Sequence, residues 1–368
     1  MTNSEKKSPR LLSLDVFRGL TIALMILVNS PGNNTAHSWL EHSRWNGCTL
    51  ADVVFPFFIF IVGVSVVFSL TKAKTQDITT TQLLPKILRR SVIIFLIGLF
   101  LNAFPHHFDL ATLRVFGVLQ RIAICYLFCA VLFLTTRITT QFILLVLILI
   151  GYWLLMSLVP VQGYGAGNLT PQGNVAAAVD RMLFSASHLY GKSYDPEGLL
   201  STLPAIATGL LGNLTGYWLI SSRKASVKCM GLISVGLLSM IIGWVWGLQF
   251  PVNKALWTSP YVLVTGGLAL LVLALCYWLV DIRGWKKWSK PFEIFGLNAL
   301  AVYFLHVFFL KVQIMIPAPS GNLRSFITEQ LFGWASPENA SLFYALTYTL
   351  VWLMLLTLLY RKKIFIKI

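Results

Sequence analysis

Apolar residues gather in long uninterrupted blocks along the chain. Ten such blocks lie at about 14–32, 50–70, 86–104, 115–135, 140–160, 199–220, 227–247, 259–280, 292–315 and 339–360. Each approaches the roughly 20 residues that a helix needs to cross the hydrocarbon core of a bilayer. Core helices of a soluble domain rarely need that length, so the pattern predicts an all-α polytopic membrane protein. About ten transmembrane helices form a single domain over residues 1–368, with a short basic tail at 1–12. An even number of crossings puts both ends of the chain on one side.

Composition agrees: 57% of the 368 residues are hydrophobic and 11% charged, where soluble domains carry roughly 25% charge. Counted along alternating connections, 21 of the 29 Lys and Arg fall on the face that holds the termini. The other eight are Arg44, Arg114, Arg121, Arg181, Lys192, Lys254, Lys311 and Arg324. By the positive-inside rule both termini are expected to be cytoplasmic. The net charge of +16 then reflects topology, and with no nucleic-acid motif beside it no nucleic-acid partner is expected. "VNSPGNN" after the first block makes a poor cleavage site, so that block reads as a retained helix.

The five cysteines form no CxxC pair and read as packing residues. His106-His107 has no supporting ligand spacing, so no metal is expected. There is no P-loop, GxGxxG, HExxH or GxSxG. Among the outer connections, 161–198 is long and too rich in aromatic residues for disorder, so it should fold back over the outer mouth of the helices. No internal repeat is visible, which weighs against an inverted-repeat transporter.

Polar residues at the edges of the blocks are the candidates for chemistry. Asn29 ends the first block and His42 precedes the second. An imidazole takes a proton near neutral pH and an amide steadies an oxyanion, although His42 equally suits a cap or a headgroup anchor. Asp52 lies just inside the second block, where it must be paired; Arg121 is one partner to expect, and catalysis is the other reading. Arg114 and Arg121 stand two helical turns apart with Gln120 alongside, forming a wall for a polar ligand or a buried ion-pair network. Asp195 and Glu197 suit a helix N-terminus, while Asp180 and His188 in the same loop do not. Asn298 in the ninth block is helix glue or a ligand contact. Asp15 and Arg18, with Arg89 and Arg90, would hold a phosphate-bearing cofactor or one another and lipid headgroups.

Taken in order, "SLDVFRGLTIALMILVN", "HSRWNGCTLADVVFPFFIFIVG", "RVFGVLQRIAICY", "VDRMLF" with "HLYGKSYDPEGLLSTLPAIATGLLG", and "PFEIFGLNALAVYFLH" resemble the heparan-α-glucosaminide N-acetyltransferase family, including its bacterial NagX-type members. The resemblance covers nearly the whole chain. It implies a ten-helix acyltransferase that takes acetyl-CoA from the cytoplasm and acetylates the amino group of a glucosamine unit across the membrane. It carries the family's active histidine onto His42 and the companion asparagine onto Asn29. Asn46 is a second candidate for the oxyanion, with Trp45, Asp52, Arg121, Gln120, Asp180, His188, Asp195, Glu197 and Asn298 around the sugar, and Asp15, Arg18, Arg89 and Arg90 toward the acetyl-CoA phosphates. The passage "SPGNNTAHSWLE" departs from the family pattern and suggests an acceptor other than heparan, and the short stretch ahead of the core fits a bacterial inner-membrane enzyme acting on free glucosamine or a short amino sugar, with the active centre expected toward the periplasm. An amino-sugar transporter and an acyltransferase of cell-envelope glycans are the rival readings, and a homodimer is the oligomer expected on general grounds.

Overall fold

The computed structural model describes residues 11–74, 76, 78–104 and 108–366; His106 and His107 lie outside them. Thirteen α-helices are present among the described residues: α1 Leu12–Asn29, α2 Leu50–Lys74, α3 Thr80–Ala103, α4 Val118–Thr135, α5 Ile138–Leu158, α6 Val175–Leu183, α7 Thr202–Ile220, α8 Ala225–Trp246, α9 Ser259–Cys276, α10 Lys290–Leu297, α11 Ala299–Met315, α12 Leu323–Phe332 and α13 Pro337–Arg361, with a 3-10 turn at Ala186–His188 and a π-helical extension of α9 at Tyr277–Ile282. The only sheet among them is a two-residue hairpin, β1 Pro317–Ala318 with β2 Gly321–Asn322.

Eight helices have the length and apolarity to cross a bilayer alone. The ninth expected span is broken: α10 and α11 meet at Asn298 with a bend of 83° and together make one candidate crossing. α3 differs from the others because Lys86, Arg89 and Arg90 occupy its first half. Beyond them Leu88, Val92, Leu96 and Phe100 form an exposed stripe one turn apart, while Ile87, Ser91, Ile94 and Gly98 are buried toward the bundle. Large apolar residues are likewise exposed on α5, α8 and α13, among them Leu147, Ile241 and Leu350. An outside this apolar suits lipid and not water, and the chain is an all-α, multi-pass membrane protein.

Lipid tails are as apolar as leucine, so close packing and buried polar bonds must hold such helices together. α2 is the central helix, and it meets α7 through Gly63 and Gly212, where a methyl group on either would strike the facing backbone. Asn213 Nδ2 on α7 donates to Cys129 O of α4 and to Gln141 Oε1 of α5, each at 3.0 Å, which pins three helices at one point.

The 161–198 connection folds back over the bundle. Asn174 caps α6 by accepting from Ala177 N at 2.7 Å. Val175 and Ala176 then pack with Tyr152 and Met156 of α5 and with Phe250 and Leu256 of the 248–258 connection. Two polar centres lie at different depths along α2. Asp52 marks one and Ser65 the other, about 20 Å apart at 1.5 Å per residue.

Candidate active site

The first centre is built by the H-x-x-W-N-G stretch, whose named residues grip α2, the long loop and the 248–258 connection. His42 Nδ1 lies 2.8 Å from Asp52 Oδ1. Trp45 Nε1 donates to Leu169 O in the long loop at 2.9 Å, and its ring meets Tyr194 edge-on. Asn46 Oδ1 accepts from Asn253 Nδ2 at 3.0 Å, and Gly47 N donates to Val252 O at 2.8 Å. Gly47 has φ of 114°, a conformation that favours glycine. This clamp fixes the place of His42 between three connections.

Asp52 is fully buried in the first turn of α2. Its Oδ2 accepts from Ser43 N, Thr49 N and Thr49 Oγ1, each at 3.0 Å. Its Oδ1 receives His42 and Lys254 Nζ, the latter at 3.3 Å. Tyr261 OH donates to the Asp52 carbonyl at 2.7 Å. The helix N-terminus adds a favourable field for the carboxylate. With its lone pairs met by donors, Asp52 is a fixed anion on Nδ1. That arrangement orients an imidazole by its Nδ1 and keeps Nε2 off the carboxylate, available for acid–base or nucleophilic work. The His42 side chain is 49% exposed while that of Asp52 is 0%, so a solute reaches the ring and not the carboxylate.

Sequence reasoning expected Arg121 on Asp52; Lys254 is there instead. Its Nζ lies 3.0 Å from His42 Nδ1 and 3.4 Å from Nε2. Burial pulls the Lys254 amine below the ordinary lysine range, with Asp52 and Glu197 opposing. The signal available in the sequence was a lone lysine in the otherwise uncharged connection "FPVNKALWTSP".

A second polar layer lies beside the first. Arg114, in the extended segment before α4, makes two bonds to Asp195, Nε to Oδ2 at 2.8 Å and an Nη to Oδ1 at 2.6 Å, and also holds Glu197. Burial opposes these charges, but the pairing overcomes it, raising Arg114 and lowering Glu197 relative to their ordinary values. Arg121 is fully buried, donates to Gly198 O at 3.1 Å and to Ser201 Oγ at 2.5 Å, and stacks on Trp257. Both arginines therefore grip the segment 195–201. α7 begins at Thr202, so Asp195 and Glu197 serve Arg114 and do not cap that helix.

The remaining candidates scatter. Asn29 is exposed at the end of α1, and among the described residues no hydrogen bond joins it to His42. Gln120 is buried against Gly98 of α3 and Gly117. His188 Nδ1 donates to Leu113 O at 2.7 Å, tying the long loop to the segment before α4. Asn298 belongs to the opposite end of the bundle: its Oδ1 accepts from Ile366 N at 2.8 Å, after the end of α13. His188 and Asn298 thus have structural partners away from His42, which composition could not reveal, whereas Gln120 Nε2 is buried with no hydrogen-bond partner among the described residues.

Asp180 on α6 is buried and accepts from Leu199 N at 3.0 Å. Burial pushes its carboxyl up to about 6, against that hydrogen bond. The folded chain therefore holds this proton more tightly than the unfolded chain. Stability falls as pH rises from about 4 to about 6, and above that the buried charge costs up to about 3 kcal/mol. Asp180→Asn keeps an acceptor for Leu199 and removes the charge. It is expected to raise the thermal midpoint above neutral pH, with the gain fading below about pH 5; a scan of detergent-solubilised protein at both pH values checks this.

The second centre lies beside Ser65 of α2. Arg18 donates to Asp15 Oδ1 at 2.9 Å and to Ser65 Oγ at 2.8 Å. Together with Arg90, Ser69 and Tyr126 it lines a cavity of about 400 Å³ that reaches Phe58 and Tyr303 at its other end. Arg90 also stacks on Tyr126, whereas Arg89, one position around α3, is exposed and takes no part in the wall. Among the described residues no cluster of three metal-binding side chains occurs.

Comparison with known proteins places this architecture. The family model for the catalytic region of heparan-α-glucosaminide N-acetyltransferase matches residues 10–244. The chain is 32% identical to the heparan-α-glucosaminide N-acetyltransferase of Homo sapiens and 30% identical to that of Mus musculus, each over 98% of this chain and 60% of the relative. The chain thus spans about 60% of the length of these relatives. The matched region contains His42, Asp52, Arg121, Arg114 and the two carboxylates that Arg114 holds, and it follows that the chain belongs to the heparan-α-glucosaminide N-acetyltransferase family.

Proposed function

We propose that this protein takes an acetyl group from cytoplasmic acetyl-CoA and transfers it to the amino group of a glucosamine-type sugar at the outer, periplasmic face of a bacterial inner membrane. The observation that carries the reading is the half-exposed His42 ring held on a fully buried Asp52. The relatives' printed activity supports the same chemistry. The positive-inside count supports an orientation with the Arg18 end in the cytoplasm and the His42 end outside.

Arg18 and Arg90 fit the donor's phosphates, being two cations at the mouth of a cavity whose walls are otherwise mostly apolar. The cavity follows α2 from Ser69 to Phe58, about 16 Å, and stops about 9 Å short of Asp52 along the helix axis. An extended pantetheine arm lying there points its thioester at His42. Arg90→Ala is expected to raise KM for acetyl-CoA roughly tenfold or more, the worth of one charge-assisted bond, with kcat little changed. Steady-state kinetics at varied acetyl-CoA check this.

At the outer end, Asp52 holds the ring so that Nε2 removes the proton from the attacking amine, or attacks the thioester itself and carries the acetyl group briefly. Asn46, held by Asn253, is the fixed amide nearest in sequence to the ring and the better placed of the two asparagines to meet the oxyanion. The test is acetyl-CoA-dependent N-acetylation of glucosamine by protein in liposomes, with labelled glucosamine followed across the bilayer in parallel. Product formation supports the enzyme. Movement of glucosamine without product replaces it with a transporter.

A further inference from the structure

Lys254 has no place in the acetyl transfer as described above, yet its position is unusual. The side chain is four-fifths buried. It touches His42 and Asp52 and lies within electrostatic reach of Cys48 and of Glu197 in the long loop. A lysine serving only to neutralise Asp52 would sit on a carboxylate oxygen alone. Here Nζ is within 3.4 Å of both imidazole nitrogens, so any group reacting at Nε2 also comes within reach of the ammonium.

Resting on the acetyl-transfer reading, we infer that Lys254 is a second catalytic residue, the acid that protonates the departing thiolate while His42 acts as the base. The balance is as follows. The amine nitrogen forms a bond to the acetyl carbonyl carbon, and the carbon–sulfur bond breaks with its electron pair on sulfur. The amine proton passes to His42 Nε2, and a Lys254 Nζ proton passes to sulfur, giving the amide and free CoA thiol. This leaves an imidazolium and a neutral amine in contact. Proton transfer from His42 to Lys254 restores both for the next turnover without a solvent proton. Burial of Lys254 favours this role, because a less basic ammonium is a better donor.

The experiment measures kcat against pH, from about 6 to about 10, for the wild type, Lys254→Met and Lys254→Arg in liposomes with acetyl-CoA and glucosamine. The wild type is expected to lose activity as pH rises through a value below the ordinary lysine range. Lys254→Met should fall roughly 100-fold in kcat and lack that alkaline limb. Lys254→Arg keeps a positive charge on Asp52 but does not release its proton, so it should be as slow as the methionine variant. Recovery to within about threefold of wild type by arginine, a wild-type alkaline limb surviving in Lys254→Met, or a wild type flat to about pH 10 overturns the inference. The limb's position within each variant does not depend on how much protein is folded. A wild type that forms no product at any pH overturns the acetyl-transfer reading instead.

Discussion

His42→Ala is expected to lower acetyl transfer by roughly a thousandfold or more, within the range attributed to losing a positioned acid–base or nucleophilic group. The loss should appear in kcat and not in the affinity for acetyl-CoA, because the phosphate-binding cations lie beside Ser65, further along α2. The protein should survive the change. Asp52 keeps Lys254, Ser43 and Thr49 as partners, so no buried charge is orphaned. The removed ring is half exposed and contributes little packing. Steady-state rates together with a thermal scan check both halves of the expectation.

Arg114→Ala should act in the opposite way, through stability. Asp195 and Glu197 are 1% and 11% exposed and share this guanidinium, so truncation strands two carboxylates away from water. Removing one partner of a buried pair typically costs about 3–5 kcal/mol. Arg114→Lys is expected to recover only part of that, because an ammonium cannot reproduce the fork that holds both Asp195 oxygens. The midpoint of thermal unfolding in detergent orders the three proteins as wild type, lysine, alanine. Loss of activity in the alanine variant should track loss of folded protein.

Much of the plan was legible because bilayer chemistry imposes it. The apolar blocks coincide with the long helices, and polar residues at the edge of the second block, His42 and Asp52, prove to be in contact. The bend at Asn298 was not legible, since "FGLNALA" is as apolar as a straight span and hydropathy carries no direction. Arg121 was expected on Asp52 because opposite charges in an apolar setting seek each other. Asp52 instead found backbone amides and Thr49 within its own turn, together with His42, while Arg121 found Gly198 O, Ser201 and the face of Trp257. Lys254 escaped notice because 212 positions separate it from His42. A contact made by tertiary folding leaves no spacing to read. Charge near a helix start singled out Arg89 and Arg90 alike, but α3 begins at Thr80 and, of the two, only Arg90 lines the cavity, since sequence alone does not say which face of α3 meets it.

The most direct measurement uses sealed liposomes holding the protein in a known orientation, with acetyl-CoA on the side of Arg18 and Arg90 and glucosamine on the side of His42. The account predicts N-acetylglucosamine on the glucosamine side only, free CoA on the other, and neither with His42→Ala. Product made only when donor and sugar share one side of the membrane would contradict it.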